Sequence, residues 1–144
     1  MVRFALLRTV LDPLLAVEGP EGLVRLEFLP RAWEYRTRAH AIARTCFAPA
    51  RVSAAGGEPP PAPALRVVED PTAFEELRGQ LAEYFTVRRE AFDVRLDPRG
   101  TPFQTRVWQQ LQRIPYGKLR TYRQIARALN RWPGGDADVD VHFV

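Results

Sequence analysis

Arg120, Arg123 and Arg127 recur at a spacing that sets side chains along one flank of a helix, and the segment around them holds no acid to answer them. From Thr101 to Gly135 there are seven basic residues and neither Asp nor Glu. In residues 1–100, by contrast, fourteen Arg are balanced by fourteen acids, and Asp136, Asp138 and Asp140 reverse the sign afterwards. Solvated helix faces mix both signs. A one-signed ridge in a chain of net charge +4 therefore points to an anionic polymer, and a phosphate backbone suits it. Nucleophilic chemistry has a single thiol candidate, Cys46 in A-R-T-C-F-A-P-A. It has Arg44 nearby but no His beside it, and next to Phe47 it reads as a small packed hydrophobe. His142, in V-H-F-V, has no adjacent Cys and is read as incidental. Glycine-rich phosphate loops, metal-ligand spacings and paired-carboxylate sites are absent from the sequence, so no catalytic residue, metal or cofactor is assigned.

Two helices must carry the basic segment. Thr101 is an N-cap with Pro102 at the first helical position, and Gln104 is placed to close a capping box. Phe103, Val107, Trp108 and Leu111 then form an apolar face until Ile114-Pro115-Tyr116-Gly117 ends the helix. Thr121 caps a second helix, again with Gln124 three residues on, and Tyr122, Ile125, Ala126 and Leu129 form its apolar stripe. Arg120, Arg123 and Arg127 are expected on one side of that helix, away from the stripe.

The rest of the chain reads as a small α+β domain. Val2–Val10, Leu14–Glu18 and Leu23–Leu29 are strand-like, with a turn at Gly19-Pro20-Glu21-Gly22. In the third run Val24, Leu26 and Phe28 alternate with Arg25 and Glu27, which predicts one buried and one wet face. Pro30–Arg44 is too scattered to assign. Residues 48–64 contain five prolines and two glycines and read as an extended connection. Leu65–Val68 is a short strand, Asp70-Pro71 opens a helix to about Thr86 with Phe74, Leu77, Leu81, Tyr84 and Phe85 on its buried face, and Ala91–Leu96 is another strand. At 144 residues and 46% apolar composition the chain can bury a core. With one cysteine it has no internal disulfide; with no signal-peptide core or membrane span, the cytoplasm is the expected location.

The run F-Q-x-x-V-W-x-x-L-x-x-I-P-Y-G-K-x-x-T-Y-x-x-I-A, carried by fourteen residues from Phe103 to Ala126, closely resembles the start of the DNA-binding domain of the O6-alkylguanine-DNA alkyltransferases, the methylated-DNA-protein-cysteine methyltransferases. The G-L-V-x-L-E-F run at Gly22–Phe28 resembles, less specifically, a strand of that family's N-terminal domain. The resemblance implies an N-terminal ribonuclease-H-like antiparallel sheet with helices over residues 1–97, then a partial helix-turn-helix domain over 98–131, with 132–144 an atypical tail. It implies double-stranded, alkylated DNA as the partner of a monomer, with no small-molecule cofactor. Thr121 to Leu129 would be the first helix of the helix-turn-helix, and Tyr122 would match the tyrosine that presses on the phosphate beside the target nucleotide and helps rotate the base out. By periodicity alone Tyr122 is a core aromatic. Thr121, Tyr122, Arg120, Arg123 and Arg127 are thus the expected DNA-binding residues.

The family continues with a recognition helix, an Asn hinge and a Pro-Cys-His-Arg motif whose Cys takes the alkyl group. After Leu129 this sequence reads N-R-W-P-G-G-D-A-D-V-D-V-H-F-V, which contains none of them. The expectation is a DNA repair family member that does not transfer alkyl groups as written, or a non-catalytic alkyltransferase-like DNA-binding module. A remnant without a partner would leave Trp108, Leu111 and Ile125 uncovered.

Overall fold

The computed structural model describes residues 1–47 and 64–130, and the chain divides into two compact units, Met1–Pro98 and a second beginning at Arg99. The first contains strands β1 (Val2–Leu7), β2 (Leu14–Gly19) and β3 (Gly22–Phe28), helix α1 (Tyr35–Phe47), strand β4 (Val67–Glu69) and helix α2 (Glu75–Phe85). The second contains α3 (Pro102–Gln112) and α4 (Tyr122–Asn130). His142, Arg131 and the tail from Trp132 lie outside the described residues, as does most of the Pro-rich connection.

The sheet runs in the order β3-β2-β1-β4. Every side chain from Leu14 to Val17 is buried because β2 is covered on both faces. Leu15 and Val17 join Val2 and Phe4 beneath Ala39, Ile42 and Ala43 of α1. Leu14 and Ala16 join Ala5 and Leu7 against Phe74, Leu77 and Leu81 on the other side. Asp70 starts the α2 segment by accepting from the backbone N–H and hydroxyl of Thr72 at 3.1 and 2.6 Å, and the chain makes a 3-10 turn over Pro71–Phe74 before α2 proper. These hydrogen bonds hold the Asp70 carboxyl below its usual range.

Five readings of this unit are corrected. The sheet is not wholly antiparallel: β1 pairs β2, and β2 pairs β3, antiparallel, but β4 lies parallel to β1. A parallel neighbour needs a crossover, and α1 lies on the route from β3 to β4. That helix occupies the stretch that could not be assigned, because its stripe at Ala39, Ile42, Ala43 and Cys46 is made mostly of small residues, while Trp33 is exposed. β1 ends at Leu7, since Thr9 Oγ1 accepts the Leu11 N–H at 3.1 Å and turns the chain. Leu26 and Phe28 do not face a core but are exposed, whereas Glu27 is held by Arg38 of α1 at 2.6 Å. Tyr84, expected in the core, is exposed against Phe92.

The fifth concerns Ala91–Leu96, which is no strand beyond an isolated parallel bridge from Leu96 to Leu23. A side chain does the work of a neighbouring strand there. Gln80 of α2, 5% exposed, donates to the Asp93 carbonyl at 2.9 Å and accepts the Asp93 N–H at 2.8 Å. Both backbone groups are thereby satisfied by one amide.

Candidate nucleic-acid interface

The two helices of the second unit begin as their sequences predict. Thr101 N–H donates to Gln104 Oε1 at 3.0 Å while Thr101 Oγ1 accepts the Gln104 N–H at 3.2 Å. Thr121 and Gln124 repeat the reciprocal pair at 2.8 and 3.2 Å. Each box satisfies two orphan donors of a helix start. Between the helices Lys118 N–H bonds Pro115 O at 3.0 Å, and Gly117 takes φ +75°, a conformation natural to glycine.

The core these helices share is narrow: Val107, Ile125 and Leu129. Ile125, on the expected apolar stripe, is covered, whereas a remnant without a partner would have left it bare. Of the apolar face expected on α3, only Val107 is buried; Trp108 is half-buried, and Phe103 and Leu111 are exposed. One helix presents a strip to one neighbour, so a broad apolar face is only partly covered.

Thr121 is exposed and its hydroxyl is engaged as the cap acceptor. Tyr122, first residue of α4, is 59% exposed and is not a core aromatic. Arg123 and Arg127 are exposed on the helix. Arg120 is not on it: it precedes the cap, is half-buried, and donates to Gln110 Oε1 of α3 at 3.2 Å. An open groove of about 340 Å³ is lined by Leu119, Arg120, Gln124, Arg127 and Ala128. Arg120 and Arg127 are therefore brought to one groove, whose described lining does not include Tyr122 or Arg123. Gln110 was missed by sequence reasoning, because its bond to Arg120 crosses the interhelical joint and leaves no periodic signal.

Cys46 stands apart in the first unit, half-buried against the α1-side core as a small apolar side chain. Among the described residues no group of three His, Cys, Asp or Glu could hold a metal ion, and no helix is long and apolar enough to cross a membrane.

Residues 102–137 match the family model described as the DNA-binding domain of 6-O-methylguanine DNA methyltransferase. The constitutive methylated-DNA–protein-cysteine methyltransferase of Bacillus subtilis is 52% identical over 54 residues, 38% of this chain and 33% of the relative. The second unit is thus similar to the DNA-binding domain of the methylated-DNA–protein-cysteine methyltransferases. The methylated-DNA–protein-cysteine methyltransferase of Methanosarcina barkeri is 44% identical over 64 residues, 44% of this chain and 40% of that one. The likeness extends to the fold. The crystal structure of Mycobacterium tuberculosis O6-methylguanine methyltransferase superimposes with a TM-score of 0.63 at 31% identity, covering 89% of this chain and 61% of that one. The same organism's protein solved in complex with DNA gives 0.59 at 28% identity, covering 88% and 60%. The chain thus spans about three-fifths of these solved methyltransferases, and its matches to the curated relatives span 33% and 40% of their lengths.

Proposed function

We propose that this chain binds double-stranded DNA through the second unit, as a monomer, with preference for duplex carrying O6-alkylguanine. The observation that carries the reading is the acid-free basic surface around the capped start of α4, where Tyr122 stands exposed. In this reading Arg123 and Arg127 neutralise phosphates from the helix, and Arg120 does so from a position set by Gln110. Thr121 holds the first turn of α4 in shape. Tyr122 bears on the backbone beside the damaged nucleotide, where an exposed ring can act and a buried one could not. The similar Mycobacterium tuberculosis protein solved in complex with DNA supports this partner.

The alkyl group has no evident acceptor on the described residues. A thiol attacks an alkyl carbon as thiolate, facing a base turned out of the stack. Cys46 instead packs, partly buried, against the α1-side core of the first unit. We infer that the 144-residue chain recognises alkylated duplex without accepting the alkyl group.

Fluorescence anisotropy with duplexes that differ by one O6-methylguanine tests the reading, with intact-mass measurement on the same samples. Tighter binding of the methylated duplex and an unchanged protein mass are expected. Replacing Arg123 or Arg127 by Ala should lower the slope of log affinity against log salt by about 1 each. Tyr122→Ala should reduce the preference for methylated duplex with little change in that slope. Equal binding to both duplexes would refute the damage preference, and a gain of one methyl would show that Cys46 or another residue is a competent acceptor.

A further inference from the structure

The first unit contains an apolar pocket on the α2 side of the sheet, lined by none of the residues assigned above to DNA. It opens between the end of β1, the turn after it, and α2, has a volume of about 280 Å³, and is walled by Leu7, Leu81, Ala82 and Phe85 with Val10 at its lip. Leu7 and Leu81 are part of the buried core, but Val10 is 79% exposed, as is much of the adjacent Leu11. In register across the sheet, Leu7 pairs with Leu14 and Leu14 with Phe28; the first two are buried, and Phe28 is 52% exposed at the edge strand.

Two cations frame this pocket. Arg8 and Arg78 line it, both are exposed, and neither has a carboxylate partner among the described residues. Elsewhere in the unit Arg3, Arg38 and Arg89 are answered by Glu18, Glu27 and Glu83. A pocket for one bulky apolar side chain, flanked by unanswered guanidinium groups, selects its occupant by charge as well as by shape. A second copy of the chain meeting this face about a two-fold axis would bring the same arginines toward one another, which like charge disfavours. A DNA backbone offers phosphates but nothing apolar to fill the cavity.

We propose that this pocket docks a short acidic peptide segment of a partner protein. One aromatic or aliphatic side chain of the segment enters between Leu81, Phe85 and Val10, and carboxylates on either side meet Arg8 and Arg78. The site is independent of the DNA-binding reading and stands or falls separately.

The test uses the full chain and three fluorescein-labelled peptides: one of pattern Glu-Asp-Phe-Leu-Asp-Glu, one with Lys in place of each acid, and one with Ser in place of Phe and Leu. The first is expected to bind, and each of the others to bind about tenfold more weakly or worse. In the protein, the double change Arg8→Glu with Arg78→Glu should weaken the acidic peptide about tenfold and favour the Lys peptide. Ala82→Asp, which sets a charge in the wall, should weaken the acidic peptide while leaving both arginines in place. All three positions are exposed, so circular dichroism and Tm should be unchanged; Arg8→Gln with Arg78→Gln repeats the test should the reversal disturb folding. No binding of the acidic peptide, equal binding of the Lys peptide, or indifference to the arginine changes in folded protein would overturn the proposal. Dimers in sedimentation that Val10→Asp dissociates would also overturn it, by assigning the face to a second copy.

Discussion

The first unit closes its core on both faces of a four-stranded sheet and pairs several of its arginines with carboxylates, Arg3 with Glu18, Arg36 with Glu69, Arg38 with Glu27 and Arg89 with Glu83. The second closes a core of three described side chains between two helices, and its sequence holds no acid from Thr101 to Gly135. Each pair in the first unit is partly exposed and contributes little by itself. Their effect is to leave that surface electrically mixed, so it does not act as one field. In the second unit Arg123 and Arg127 stand exposed on α4, while Phe103 and Leu111 stay in water. The contrast is between charge resolved within the fold and charge directed outward.

The largest expected effect separates the two cores. Phe74→Ala removes a fully buried ring and should cost about 3–5 kcal/mol in urea unfolding of the first unit. Amide exchange in α4 should be unmoved by it; an equal loss of protection there would show the units unfolding together and would break the comparison. Gln80→Ala comes next, leaving the Asp93 N–H and carbonyl without their partner at a cost of about 2 kcal/mol. Faster exchange at Asp93 is its signature, and exchange unaltered there would mean that the clamp does not hold the segment.

A smaller effect of opposite sign is expected at Val87, which holds φ +59° at the end of α2 with its N–H on Tyr84 O. A β-branched residue is strained there, so Val87→Gly should stabilise the first unit by about 1 kcal/mol. A lower Tm would count against this.

The smallest effect is in the response to acid. A hydrogen bond from Tyr35, with Arg36 beside it, holds the Glu69 carboxyl below the usual 4.5, so its contribution to stability is present above that value and is lost as pH falls. Glu18 runs the other way. Burial raises its carboxyl above 4.5 despite Arg3, so its contribution is fullest at low pH and is lost as pH rises through the raised value. Glu69→Gln should therefore flatten part of the first unit's acid destabilisation, while the helices of the second, with no carboxylate of their own, should show none by this route. Acid unfolding of α4 ahead of the sheet would contradict the contrast.

Local signals were legible where a residue and its partner lie within a turn. Both capping boxes, the joint at Gly117 and the Asp70 cap follow from spacings of three residues or fewer between the groups that bond. The family resemblance was readable for the same reason, since its residues are consecutive along α3, the joint and α4. What escaped depended on distant chain. The stripe of α1 is built of alanines whose burial requires the sheet beneath them, and the alternation in β3 does not say which face a helix will cover. Arg120 and Gln110 meet only because two helices fold back on each other.

The sequence by itself determined where the α2 segment, α3 and α4 start, where positive charge gathers and which family the second unit resembles, because hydrogen bonds near in sequence and charge counts need no fold to define them. The tertiary structure alone decided that β4 runs parallel to β1, that Gln80 stands in for a strand, that Tyr122 is exposed and that Arg8 and Arg78 frame one pocket. Those facts depend on which surfaces exclude water from one another, and that is settled only when elements remote in sequence compete for the same core.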